Sequence, residues 1–286
     1  MALHTRLSPL FSYLLIGIAV LIIGGMAWQW IQPPPKTGDW QSQLAVLSTA
    51  EFNGDSVTIK NVRNFRYEGS ESEQDMRPAY YDRKYDLTKL VKVWYVSEPF
   101  KELSAAAHTF LSFEFSDGNF LSITIEARKL KGQDYKLEKG LLHTYPLMYI
   151  AADERDSIFV RANIRKSDIY LYPVRTTPEK GRQLLVDMLE EMNQLAVEPE
   201  WYNTMLDNCT SRIAYHVNRI TPGRLPALPW ESYVTGFADK FALEHNLLDT
   251  ELPLEEARKK YYITPVSQSI EPDENYSEKI RSGWTD

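Results

Sequence analysis

The sequence predicts an α+β fold in one globular domain, preceded by one N-terminal transmembrane helix. Three observations carry this expectation. Leu10 to Ile31 (LFSYLLIGIAVLIIGGMAWQWI) holds no charged side chain. The first half of the rest alternates apolar and polar residues as strands do, and the second half turns to helical spacing. Strands followed by helices in a chain of this length read as α+β. With 43% hydrophobic and 25% charged residues among 286, the chain can bury a real core and is too ordinary in balance to be disordered. A net charge of −7 argues against nucleic acid as a partner. The single cysteine, Cys209, excludes an intrachain disulfide and any Cys-rich metal site, and no cofactor or metal leaves a readable trace.

Each element follows in order. Residues 1–9 are expected inside the cytoplasm, because Arg6, His4 and the amino terminus precede the apolar stretch and Lys36 after it is offset by Asp39. Residues 10–31 are long enough to span a bilayer core of roughly 30 Å, with Trp28 and Trp30 at the headgroup boundary. That makes the anchor an inner-membrane one, with membrane lipid as a partner. The alternative is a cleaved signal peptide, for which the apolar region is long and Gly25 and Ala27 form only a weak small-x-small site. Pro33, Pro34 and Pro35 stop the helix and open a linker over 32–55, with a short helix around Trp40 to Ser48. Residues 56–286 form the domain outside the cytoplasm. Val57 to Tyr67 reads as a strand and Gly69 to Pro78 as an acidic, Ser-rich loop. Leu90 to Val96 is a strand ended by Glu98-Pro99. His108 to Phe115 and Phe120 to Arg128 form the clearest hairpin, turned by Ser116-Asp117-Gly118-Asn119. Leu141 to Ala151 and Asp168 to Val174 are further strands. Thr177 before Pro178 caps a helix carrying Leu184, Leu185, Met188, Leu189, Met192 and Leu195 on one stripe. Asn208 to Ile220 is a second helix, and Trp230 to Tyr262 is mostly helical.

The chemistry centres on Cys209. Asn208 is a good N-cap, so Cys209 falls on the first turn of its helix, where unpaired N–H groups and the macrodipole favour a thiolate. A thiolate nucleophile needs an imidazole. His216 follows on the same helix about 10 Å away by helical rise, too far for a hydrogen bond. His245 lies in a polar stretch, His143 at the start of a strand, and His4 before the apolar segment. His108 opens the hairpin and so sits on a rigid platform. A three-residue turn with a Gly118 bulge sets Phe115 against Asn119 and His108 against Glu126, whose carboxylate would then orient the imidazole. A two-residue turn sets Ala127 there instead, and spacing leaves both open.

Several ordered blocks resemble one bacterial family. They are Asn61 to Tyr67 (NVRNFRY), Tyr80 to Leu87 (YYDRKYDL), His108 to Phe115 (HTFLSFEF), Ser122 to Arg128 (SITIEAR), Ala152 to Asp156 (ADERD), and Tyr202-Asn203 with Asn208 to Ser211 (NCTS). Tyr276-Ser277 and Ile280-Arg281 resemble its closing segment. The family is the Lnb N-terminal periplasmic domain. The resemblance covers roughly Val57 to Trp284. It implies a permuted papain-like, NlpC-type fold with an antiparallel sheet and helices, the histidine strand preceding the cysteine helix. It implies His108 and Cys209 as the catalytic pair and Glu126 as orienter. It further implies lipoprotein N-acyl transfer, although this sequence has its apolar stretch at the N-terminus and no C-terminal multi-span region.

The expected function is therefore a membrane-anchored periplasmic cysteine acyltransferase or hydrolase, working through a thioester on a lipoprotein or phospholipid substrate. The helix start, with Asn208 and Thr210 beside Cys209, would supply N–H groups for the oxyanion. Tyr81, Arg83, Arg128 and Asn203 are candidate cleft residues, though polar and aromatic residues on strand edges also serve as framework. Arg155 reads as part of a structural ion-pair network. Two other readings stay open, a thiol peptidase or amidase of peptidoglycan or peptides, and a noncatalytic lipoprotein-binding module.

Overall fold

The computed structural model describes residues 9–67, 76–101, 103–226 and 235–284. The acidic loop expected over Gly69 to Pro78 and the start of the helical stretch from Trp230 lie largely outside the described residues. Pro9–Ile31 is a helix, α1, whose described side chains, Leu14, Ile16, Ile18, Leu21 and Trp28 among them, are exposed. Among the described residues no helix is long and apolar enough to cross a membrane. The expected transmembrane anchor over 10–31 is thus corrected to a helix without an assigned span.

The domain is α+β, built on an eight-stranded sheet. The strands are β1 (Thr49–Asn53), β2 (Ser56–Arg63), β3 (Tyr80–Asp86), β4 (Leu90–Phe100), β5 (Leu103–Phe115), β6 (Phe120–Ala127), β7 (Leu147–Ala152) and β8 (Tyr170–Pro173). They run in the order β1-β2-β7-β6-β5-β4-β8, with β3 on the other edge of β2. The sheet is mixed rather than wholly antiparallel, because β2 meets β7 in parallel at Arg63–Ala152. Three further expectations are corrected. The 32–55 segment is not a linker: β1 joins the sheet, and the short helix reduces to a 3-10 turn at Ser42–Leu44. β4 does not end at Glu98-Pro99 but continues to Phe100. Pro99 is tolerated there because the strand's pairing with β8 ends at Ser97.

Helices cover both faces. They are α2 (Leu137–Gly140), α3 (Glu154–Phe159), α4 (Pro178–Val197), α5 (Cys209–Ile220), α6 (Ala238–Glu244), α7 (Leu254–Lys260), α8 (Thr264–Gln268) and α9 (Tyr276–Lys279). Thr177 caps α4 by accepting from the Lys180 N–H, with Pro178 in the first turn, as the sequence predicts. The alternation of strand residues divides the core. Val93, Tyr95, Leu111 and Phe113 face α4 and α5 with Leu185, Met188 and Ile213. Trp94, Val96 and Phe110 face the other layer with Ile158, Ile263 and Tyr276. This follows from the period-2 geometry of strands buried on both faces.

The turn between β5 and β6 has the three-residue form. The Phe115 N–H donates to the Asn119 carbonyl at 2.9 Å and Gly118 takes φ of 79°, a conformation that glycine adopts without a Cβ clash. The ladder runs from Glu114–Phe120 to Phe110–Thr124 and stops. Beyond it β5 stays paired with β4 at Glu98–His108 and Pro99–Ala107, and β6 stays paired with β7 through Ala127–Leu147. The two strands therefore part at this end, and a cleft opens between them.

Candidate active site

The cleft holds about 350 Å³, and His108, Glu126, Asn208 and Cys209 all line it. Its position follows from the register. His108 and Glu126 stand at the parted ends of β5 and β6, and α5 brings its first residue to the same point. Asn208 caps that helix, its Oδ1 accepting from the N–H groups of Thr210 and Ser211 at 2.9 Å each, while the Ser211 hydroxyl accepts from the Asn208 N–H. This reciprocal cap fixes the helix start. The Thr109 and Thr210 hydroxyls lie 2.9 Å apart and stitch α5 to β5.

Cys209 is 5% exposed and His108 9%. The thiol lies 3.9 Å from the Ala107 carbonyl. Burial pushes the Cys209 thiol up, but the hydrogen bond and charge of His108, with help from Thr109, outweigh it and leave the thiol below its ordinary value. Burial pushes His108 down, but the Glu126 charge and the thiol outweigh it and raise the imidazole. The two shifts favour a thiolate–imidazolium pair. His108 Nε2 lies 2.7 Å from the Thr124 hydroxyl and 3.3 Å from Glu126 Oε1. The Thr124 hydroxyl donates to Glu126 Oε1 at 2.9 Å. With Nε2 so engaged, Nδ1 is the ring nitrogen left for sulfur. Burial pushes Glu126 up, yet the charges of His108, Arg161 and Arg165 overcome it and bring the carboxyl down to about 2.

Sequence reasoning missed two members of this array. Thr124 precedes Glu126 by two residues and so shares its face, a signal open to reading. Arg161 carried none. It sits in a single π turn, Val160–Ile164, a feature common at functional sites. It donates to Glu98 and Glu126 at 2.9 Å each and to the Ser157 carbonyl at 2.7 Å. Glu98, His108 and Glu126 thus stand on three neighbouring strands with one buried guanidinium bracing the outer two.

The remaining candidates are framework. Tyr81 donates to Asp153, and Arg83 donates to Asn119 while lying over the Tyr81 ring. Arg128 donates to the Leu44 and Ala45 carbonyls and stacks on Trp40. The Asn203 side chain accepts from the N–H groups of Met205 and Leu206 and shapes their turn. None of the four lines the cleft. The Thr210 N–H is spent on the Asn208 cap, which removes it as an oxyanion donor. His216 is fully buried between Tyr149 and Asp187 and braces α5 against β7 and α4. Arg155 forks onto Asp153. Among the described residues no group of histidines, cysteines and carboxylates is arranged to hold a metal ion.

The family model described as Lnb N-terminal periplasmic domain matches residues 77–236. That interval contains His108, Thr124, Glu126, Arg161 and Cys209. No curated protein and no solved structure is similar enough to match the chain.

Proposed function

The chain belongs to the Lnb N-terminal periplasmic domain family, and on that premise we propose that it is a periplasmic cysteine-dependent acyl-transfer enzyme acting on lipids or lipoproteins. The observation that carries this reading is geometric: Cys209 stands at a capped helix start, in one cleft with an imidazole braced through Thr124 and Glu126, an arrangement that holds its thiol below the ordinary value. A buried cysteine kept only for packing has its thiol raised, not lowered.

In the proposed reaction the Cys209 thiolate attacks an ester carbonyl of the acyl donor. The ester C–O bond breaks, a thioester forms, and the leaving alcohol takes the proton held by His108. An amine then attacks the thioester, or water does. The C–S bond breaks, His108 takes the nucleophile's proton, and the thiolate–imidazolium pair is restored. The Cys209 backbone N–H, at the positive end of α5, is the donor for the oxyanion. Tyr135, Leu137, Tyr202 and Phe100 give the cleft an apolar stretch among its charged lining, against which an acyl chain would lie.

The test replaces Cys209 with alanine in the host and reads the amino termini of its lipoproteins by mass spectrometry. Loss of an N-acyl group, with accumulation of the free-amine form, is expected. An unchanged acylation pattern, with the wild-type thiol still labelled by iodoacetamide near neutral pH, excludes lipoproteins as the acceptor. Failure of that labelling excludes the thiol mechanism itself.

A further inference from the structure

We propose that the rim of the cleft formed by α2, the residues that follow it and the 204–206 turn is a docking surface for an anionic lipid bilayer. Leu142, Met205 and Leu206 are 51%, 46% and 53% exposed, and Leu137 and Leu141 are exposed beside them. Single exposed leucines are unremarked on any surface, but here they converge. The Thr204 hydroxyl donates to the Leu137 carbonyl at 2.9 Å and its N–H donates to the Gly140 carbonyl at 3.3 Å. The turn and α2 are thus joined backbone to side chain.

The display is rigid. Asn203 and Asp207 exchange two backbone hydrogen bonds, and the Asn203 side chain accepts from the N–H groups of Met205 and Leu206. The closed turn therefore holds both apolar side chains outward. It is also next to the chemistry. Leu206 precedes Cys209 by three residues, and Leu137 and Thr204 themselves line the cleft.

Charge decides the kind of partner. From Lys129 to Lys139 the chain carries four lysines against Asp134 and Glu138, in a molecule of net charge −7. Lys136 and Lys139 are exposed on either side of Leu137 and Glu138 at the start and end of α2, and Lys131 is exposed shortly before them. Leucines with Lys136 and Lys139 beside Leu137 suit the boundary of an anionic membrane, where the apolar tips sink below the headgroups and the lysines meet negative charge. Trp201 Nε1 donates to the Gln32 carbonyl at 2.7 Å, tying the end of α1 beside His143, which stacks on Trp201 and directly follows Leu142. The bilayer surface would thus meet the cleft mouth, so that an acyl ester reaches Cys209 without leaving the interface. That last consequence rests on the proposed acyl-transfer reading, whereas the docking does not.

The experiment uses the full chain in a Cys209→Ser background, with a single spin label placed in turn at positions 142, 205 and 197. Val197 is exposed at the end of α4 and reports the solvent. Depth is read from oxygen and nickel-chelate accessibility on vesicles of phosphatidylethanolamine with one quarter phosphatidylglycerol. Labels at 142 and 205 are expected below the headgroups and the label at 197 in water. On phosphatidylcholine vesicles, or after Lys136→Glu with Lys139→Glu, the immersed fraction is expected to fall at least threefold. Labels at 142 and 205 as wet as that at 197 overturn the proposal. So does burial of these labels without vesicles, which would mean a protein partner or second copy covers the rim. Equal immersion on both vesicles overturns its anionic specificity. Immersion together with an unreactive wild-type thiol would leave docking standing and remove the acyl-transfer reading.

Discussion

At the scale of single residues the site is a balance between burial and charge, and charge wins at all three positions. Cys209, His108 and Glu126 are each shifted toward the ionised form against the pull of desolvation. Two consequences can be measured. Iodoacetamide alkylation of Cys209 should titrate with a midpoint below the roughly 8.5 of a free thiol, and His108→Ala should move that midpoint up, because it removes the largest downward influence on the sulfur. A midpoint unmoved by His108→Ala would sever the pair. The second consequence is in stability. Glu126 is lowered from 4.5 to about 2, so the folded state binds fewer protons at this group than the unfolded state between those values. Its contribution is whole above about 4.5 and is lost as pH falls toward about 2. Glu126→Gln should lower the melting temperature at pH 7 and flatten its decline through that acid window. A decline as steep in the variant as in the wild type would assign acid sensitivity elsewhere.

At the scale of elements, what holds the nucleophile is the start of α5. Asn208 accepts two backbone N–H groups and donates through Nδ2 to the Thr204 carbonyl at 2.9 Å, so one side chain ties the helix to the turn before it. Asn208→Ala should cost about 1 kcal/mol, within the 0.5–2 kcal/mol usual for a lost cap, or roughly 2–4 °C in a domain of this size. Asn208→Ser keeps an oxygen at the cap and should recover most of it. Equal melting of both variants would show the cap to be idle. This element was legible in sequence because capping is a local matter: an Asn, then a Ser three residues on, then an apolar stripe. The hairpin was legible for the same reason, through alternation broken by Asp117-Gly118. Its register was not, since a one-residue change in the turn is silent in the strand pattern and exchanges Glu126 for Ala127. Glu98 was read as a strand terminator because Pro99 follows it. Only the fold, which brings the π turn at Val160–Ile164 against β4, reveals it as the partner of Arg161, and such long-range pairings leave no local mark. The four supposed cleft residues failed likewise: polar residues on strands look the same whether they face a ligand or each other.

At the scale of the whole molecule, the least legible part was the stretch before the first core strand. Prolines and polar residues made 32–55 read as a spacer, yet it forms a strap across the sheet end and one wall of the cleft. Arg63 donates to the Gln43 carbonyl at 3.1 Å, and Arg128 to the carbonyls of Leu44 and Ala45 at 2.9 and 2.8 Å. These arginines lie on and beside strands far along the chain, so nothing near residues 40–48 announces them. Between the arginines the Leu44 side chain is 3% exposed and packs on Met148, Ile150 and Ala152, while Gln43 and Leu44 line the cleft. The strap is thus held by the Leu44 side chain, by three guanidinium contacts to its carbonyls, and by Trp40 and Gln41, which bond to Leu130, Lys129 and Gln133 while Arg128 stacks on the Trp40 ring. Leu44→Ala removes the apolar pin without touching the others. Burial of this kind is worth about 2–5 kcal/mol, and among the described residues Leu47 is the partly buried apolar side chain packed against the small cluster. The variant should unfold at correspondingly lower denaturant, and amides over 41–48 should exchange faster than the sheet, as expected of a segment that opens on its own. Iodoacetamide should also reach Cys209 faster, because the wall of its cleft has loosened while His108 and Glu126 stay in place. Wild-type melting, exchange and alkylation in Leu44→Ala together would mean that the hydrogen bonds and the Trp40 stack hold the strap without the apolar pin.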